Sequence, residues 1–430
     1  MNGGVKYRLM TERGFNIIAV IILIALLMGL LLIVGCPKRL SPVLSIKQDK
    51  QDNVPIIRVL VAQGKKLDLS TTGGYKVISS TGQTLLSSYQ SLPRITLMRQ
   101  ENQWSLGTQK YIFPELSIVS EPNSFICIGK NCYRGKMVFY PDDDGGILAI
   151  NHINLETYIS SVLAGELYSS WSPVTYQAQA IAARTYALYE MGTFGRAHRY
   201  DLRADQSSQV YRGVRVETEK SHFAAEATRG IVLAYGPEGR EKIFKAYYSA
   251  CCGGMVNSVE VLTGKKVSSG PLAGGQICND CRKCKLYRWQ AVSIPKYVIY
   301  RALVRDFPQV ATIGGIKTIK VIEVFKGSKN LPARPVQVSI VGTNGKKVKM
   351  LAETLRLTLL RFNDPRTKRL YSMNCQIRDE GDNIVFENGR GLGHGVGLCQ
   401  WGAEGKARRG WSVKEILSAY YPGAKLFRVY

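Results

Sequence analysis

Three groups of residues in this chain could do chemistry. The first is a single carboxylate, Glu166, in the run Leu163-Ala-Gly-Glu-Leu167, with Leu163, Leu167 and Trp171 as an apolar collar around it. An acid in such company has its charged form disfavoured and its pKa raised, which suits a proton donor at neutral pH. The second is Gly389-Arg-Gly-Leu-Gly-His-Gly-Val-Gly-Leu-Cys-Gln-Trp-Gly-Ala403, where glycines let the backbone wrap tightly and leave His394 and Gln400 unscreened. The third is a set of thiols: Cys251 and Cys252, then Cys278-Asn-Asp-Cys-Arg-Lys-Cys284. That C-x2-C-x2-C spacing admits two readings, disulfides or a structural zinc on Cys278, Cys281 and Cys284 with Cys252 as fourth ligand. We expect disulfides, a bracing role, and no metal in the chemistry. An iron–sulfur cluster is disfavoured because the usual closing Cys-Pro is missing.

The elements around Glu166 are legible from periodicity. Leu155, Tyr158, Ile159, Val162 and Leu163 form a stripe of helical period. Ser172-Pro173 reads as an N-cap with proline at the first helical position, opening a second helix that runs to about Met191. Its expected buried face is Val174, Ala178, Ile181, Ala182, Thr185 and Leu188, so Glu166 falls at a helix end between the two. Upstream, IIRVLVA, YKVIS, RITLM and KMVFY read as short strands between Gly, Asn, Asp and Ser clusters. Downstream, Ala224 to Gly230 continues a helix, and Ile231–Tyr235 and Lys242–Ser249 read as strands around a Gly-Pro-Glu-Gly turn. Farther on come the strand IKTIKVIEVF, the hairpin VQVSIVGTNGKKVKML with Asn344-Gly345 at its turn, and a helix from Ala352 to Leu360.

These signals predict an α+β chain: a β-rich N-terminal region, then a mixed α/β catalytic domain with an inserted subdomain, preceded by one transmembrane helix. The expected divisions are a cytoplasmic tip and anchor at 1–40, a linker at 41–54 and the β-rich region at 55–150. The catalytic core follows at 151–286 and 376–430, interrupted by a strand-rich insert at 287–375 that shapes one wall of a groove. Ile17 to Cys36 is a charge-free apolar run about as long as the roughly 20 residues that span a bilayer. Lys6, Arg8 and Arg13 before it favour a cytoplasmic N-terminus and an exported remainder. Its end, Ile33-Val-Gly-Cys36, also reads as a lipoprotein processing site at Cys36; the uncleaved anchor is preferred because the run exceeds the usual signal-peptide core. Outside the cytoplasm thiols pair, and Cys127 and Cys132 bracket a short turn suited to a local disulfide. Lys+Arg 58 against Asp+Glu 32 gives a net charge of +26, which suits a polyanionic partner. The basic residues are spread along the chain and no nucleic-acid-binding module is present, which argues against nucleic acid.

The motifs resemble a known family. Gly165-Glu-Leu167, Ser172-Pro173 and the run Tyr176 to Leu188 are similar to the signature of the sporulation stage II protein D family, also called amidase-enhancer or LytB-type domains. The Gly389–Ala403 run and Glu415 to Gly423 resemble its closing motif, with Cys399 where a small residue is usual. The family contains lytic transglycosylases of bacterial peptidoglycan, and the resemblance implies that Glu166 is the single acid/base cleaving the MurNAc-β-1,4-GlcNAc bond. Beside Glu166, Arg184, Gln209 and Tyr211 are expected to position substrate groups, Tyr247 and Tyr248 to offer stacking surface, His394 to contact substrate or orient Glu166, and Gln400 to contact substrate. Arg184 reads equally well as a helix-packing ion-pair residue. Tyr200 to Gly213 matches a family segment in which a His and two Cys bind zinc in some members; Arg203 and Ser208 stand at the cysteine positions, so no metal is expected there, and His198 reads as an exposed loop histidine. Implied partners are glycan strands, the membrane and a cell-wall amidase, without any cofactor. The competing classes are a non-catalytic amidase-activating or wall-binding module, and a hydrolase needing a second acid, for which Asp205 is the motif-linked candidate.

Overall fold

The computed structural model describes residues 53–327 and 331–430. The apolar run at 17–36, with its anchor and lipoprotein readings, and nearly all of the linker lie outside the described residues. Within them, no helix is long and apolar enough to cross a membrane.

The four strand-like runs are strands. They contribute to two sheets. The seven-stranded sheet has the order Leu202–Arg203, β1 (Ile56–Gly64), β2 (Ile147–Asn154), Lys136–Pro141, Leu116–Ser120, Tyr75–Ser79 and Thr84–Ser88. It is antiparallel except at the Leu202–Arg203 edge, which runs parallel to β1. The six-stranded sheet supplies Leu67, Leu97 and Trp104, which share one core with Val77, Ile118 and Phe139 of the first. That core continues without a break into Leu155, Ile159, Leu163, Tyr176 and Ala183. The division drawn at residue 150 therefore falls inside β2, and the β-rich region and the two helices that follow it share one core.

Strand β2 hands the chain directly to α1 (Leu155–Glu166), where the Asn154 side chain accepts from the N–H groups of Glu156 and Thr157. The predicted stripe of Leu155, Tyr158, Ile159, Val162 and Leu163 is wholly buried, and each Leu, Ile or Val contributes ~1.5–3 kcal/mol over exposure. The helix stops at Glu166 because Leu167 turns extended. Next comes α2 (Pro173–Gly192), capped by Ser172 with proline at its first position as expected, and then α3 (Glu219–Ala227), a turn earlier than the helix read at Ala224 to Gly230. Strand β3 (Ile231–Tyr235) follows. The single strand expected over Lys242–Ser249 is instead Lys242–Ile243 and β4 (Tyr248–Ser249), because the chain turns between them, with Tyr247 N–H donating to the Lys245 carbonyl at 2.9 Å.

The insert has its own core, running from Trp289 to Phe386. Ile316–Phe325, Arg334–Gly342 and Lys347–Leu351 form one antiparallel sheet, with Gly345 at φ +84° in the predicted turn, followed by the predicted helix, here Ala352–Arg361. Val292–Pro295 pairs with Asn383–Glu387, which pairs with Gln376–Glu380. That pairing moves the end of the insert from 375 to about 387, a long-range partnership that local pattern does not reveal.

Candidate active site

Glu166 is the last residue of α1, half-buried, and both its oxygens are held. Oε1 accepts from the Val210 N–H at 3.0 Å, and Oε2 accepts from the Gln400 amide at 3.2 Å. Burial raises its pKa above the ordinary carboxylate value, against the opposing pull of Val210, Gln400 and the Arg212 guanidinium. Its place at the negative end of a helix acts in the same direction as burial. The arrangement is an acid fixed in direction and biased toward keeping its proton.

The partner Gln400 comes from the far end of the chain, on α4 (Gln400–Ala407). Strand β5 (Leu398–Cys399) places it, pairing in parallel with β4. This pairing requires glycine at Gly397, where a Cβ would stand 1.9 Å from the Tyr247 carbonyl oxygen and φ is +69°. One turn into α4, Glu404 Oε2 accepts from the Ser172 N–H at 2.9 Å and the Thr175 hydroxyl at 2.7 Å, capping the N-terminus of α2 where negative charge is favoured. One short helix thus binds both ends of the first motif.

Three of the residues expected to touch substrate are committed to the core. Arg184, with no exposed surface, pairs with Glu156 through Nε at 2.8 Å and Nη2 at 2.5 Å and also donates to the Ala225 and Ile231 carbonyls. Of its two readings, the ion pair is the one observed. Gln209 is fully buried, accepting from the Tyr158 hydroxyl at 2.9 Å and donating to the Ala183 carbonyl at 3.2 Å. Tyr211 is buried too, its hydroxyl donating to Asn151 at 2.8 Å. The Gln-Val-Tyr segment therefore works through the middle residue's backbone.

Tyr247 and Tyr248 stay partly exposed, as a stacking surface would require. The Tyr248 hydroxyl is buried without a hydrogen-bond partner, and the nearby Glu166 carboxylate helps raise its pKa after burial itself. His394 makes no hydrogen bond to Glu166; its Nδ1 accepts from the Val396 N–H at 3.0 Å, and its ring meets that of Tyr247 edge-on at 5.7 Å. The Glu-orienting contact expected of His394 is made instead by Gln400 together with the Val210 N–H. Asp205 is exposed, with Oδ1 accepting from both the Ser207 N–H and hydroxyl, so it is engaged in its own turn. His198 is exposed as expected, stacked on Phe194.

Sequence reasoning missed four contributors: the Val210 N–H, Arg212, Glu404 and an aromatic cluster. In that cluster the exposed Tyr168 lies 5.2 Å from Trp171 and 5.7 Å from Trp401. Tyr168 and Trp401 each adjoin a motif residue, and that adjacency was the available signal. A cavity of about 590 Å³, lined by Arg282, Arg288 and Arg390, includes neither Glu166 nor its partners. Cys127 and Cys132 form the expected disulfide. The disulfides expected within the dense cluster are absent: Cys251, Cys252, Cys278, Cys281 and Cys284 are all free thiols, as is Cys399 from the last motif.

Burial pushes His394 and His152 down to about 4, from an ordinary value of 6.5. A histidine held neutral in the fold takes up protons more readily when unfolded, so its contribution is present above pH 6.5 and lost as pH falls toward 4. Urea unfolding at pH 7 and pH 5 should show lower stability at pH 5. His152→Gln, whose parent Nε2 is buried without a partner, should remove part of that difference.

Fold and site define an α+β domain that holds one clamped acid between its first and last motifs. The family model for SpoIID, described as Stage II sporulation protein, matches residues 143–235 of the chain. The chain is 29% identical over 377 residues to an uncharacterized protein of Brachyspira hyodysenteriae, covering 87% of this chain and 93% of that protein. It is 28% identical over 294 residues to the Stage II sporulation protein D of Bacillus subtilis, covering 65% of this chain and 76% of that one. It is 25% identical over 298 residues to the amidase enhancer of Bacillus subtilis, of which it spans 40%.

Proposed function

We propose that the protein acts on the bacterial cell wall as a lytic transglycosylase, cleaving the MurNAc-β-1,4-GlcNAc bond of glycan strands with Glu166 as its one acid/base. The observation that carries this reading is the clamped, half-buried Glu166, with both oxygens held and its pKa raised by burial. Hydrolysis ordinarily uses two carboxyl groups. One suffices when the substrate supplies the nucleophile. Glu166 gives its proton to the glycosidic oxygen as the C1–O bond breaks. The resulting carboxylate then takes the proton of the muramic acid C6 hydroxyl as that oxygen bonds to C1, leaving a 1,6-anhydro sugar and the regenerated acid. No water is consumed, and orientation of the sugar supplies much of the rate. The exposed Tyr168, with Trp401 beside it, is a stacking platform for the sugar.

In the same reading Gln400 sets the direction of the acid. Gln400→Ala should lower kcat about 10- to 100-fold, the equivalent of one hydrogen bond to a charged group. Gln400 also pulls the Glu166 pKa down, so its loss should move the controlling ionisation to higher pH. An unchanged pH profile would contradict this role. Export through the N-terminal apolar run, anchored by that helix or by a lipidated Cys36, would place the domain at its substrate. The likeness to an amidase enhancer supports a second reading, a module that activates an amidase without cutting glycan. Mass spectrometry of denuded glycan strands incubated with the full chain separates the two. Products lighter by one water than hydrolytic ones support the transglycosylase, hydrated ends overturn it, and intact strands beside a stimulated amidase favour the module.

A further inference from the structure

The free thiols gather more tightly than a reduced core requires. The sulfurs of Cys252, Cys278, Cys281 and Cys399 all lie within 4.8 Å of one another, and all four residues are buried. The Cys252 and Cys281 sulfurs are 3.7 Å apart. Zinc bonded to four thiolates at about 2.3 Å needs sulfurs at the corners of a tetrahedron with edges of about 3.8 Å. The four come from three separate segments: the turn after β4, the short 3₁₀ turn Asn279–Lys283 with its C-x-x-C spacing, and the N-cap of α4.

Their surroundings are those of thiolates. Cys399 Sγ accepts from the Cys252 N–H at 3.3 Å and the Gly402 N–H at 3.4 Å, and the Tyr420 hydroxyl lies 3.2 Å from Cys278 Sγ. Donors of this kind are what metal-bound sulfurs collect around themselves. There is no space for more: a Cβ on Gly402 would sit 2.5 Å from Cys278 Sγ. Charge agrees as well. Arg334 is buried, donates to the Cys252 and Met255 carbonyls at 2.8 and 2.7 Å, and has no carboxylate partner among the described residues. Zn²⁺ with four thiolates carries a charge of −2, the counter-charge that a buried guanidinium beside Cys252 lacks.

We propose that Cys252, Cys278, Cys281 and Cys399 bind one structural Zn²⁺, each thiol giving up its proton as the metal binds. This set differs from the one read off local spacing: Cys399 replaces Cys284, and Cys251 and Cys284 stand outside it. The metal would fasten Cys399, and with it the start of α4, so the clamp on Glu166 would be built on a metal-braced turn.

The test is the metal content of the full chain, isolated without chelator from cells grown without added zinc. The expected result is about one zinc per chain that survives dialysis and is released when a mercurial blocks the thiols. Cys281→Ser should lose the metal, and Cys284→Ser should keep it. Because Cys281→Ser risks misfolding, the wild type also carries a test of its own. Exchange with Co²⁺ should give the visible bands of a tetrahedral tetrathiolate site. A folded, zinc-free wild-type chain that gives no such bands would overturn the proposal. So would peptide mapping, after immediate alkylation, that finds disulfides joining these four cysteines.

Discussion

Glu166→Gln should reduce glycan cleavage by at least about 10³-fold, since one group supplies both the acid and the base contribution. The fold should survive, and at neutral pH it should gain stability. A carboxyl whose folded pKa lies above its unfolded value costs stability once pH rises past the unfolded value, and burial raises that of Glu166. The amide carries no charge and removes that cost at pH 7, where the acid would be ionised when unfolded. At pH 3 acid and amide are both neutral, so the gain should vanish. Product analysis by mass spectrometry gives the first half of the prediction, and melting temperatures at the two pH values give the second. Full activity in Glu166→Gln would remove the proposed mechanism whatever the stability result.

The second large effect is on stability. Arg184→Met should destabilise the domain by about 3–5 kcal/mol, the cost of leaving a buried charge without its partner. The abandoned group is Glu156, which also accepts from the Gly230 N–H and the Tyr430 hydroxyl. Adding Glu156→Met should recover only part of the loss, because those two donors are then left unpaired. Urea unfolding of the single and double variants measures this. If Arg184 instead held substrate, the single variant would keep its stability and raise KM, an outcome that its complete burial between α2, α3 and β3 argues against.

The pattern of what was legible follows from the range of the interactions. The stripe on α1, the Ser172-Pro173 start of α2 and the Asn344-Gly345 turn each depend on neighbours within a few residues, and each stands where the sequence put it. The extent of the insert was not legible in this way, since it rests on Val292–Pro295 finding Asn383–Glu387.

The same distinction sorts the candidate site. Sequence by itself marked Glu166 and Gln400 as belonging to one place, and it supplied the glycines that let β5 lie against β4. Only the tertiary structure decided which way each motif residue faces. Gln209 and Tyr211 turn into the core while the backbone of Val210 turns to the acid, and Arg184 chooses Glu156 over any ligand. It also exchanged Cys284 for Cys399 in the thiol cluster. A residue's type limits what it is able to bind, but the direction it points and the partner it meets are set by packing among segments far apart in the chain.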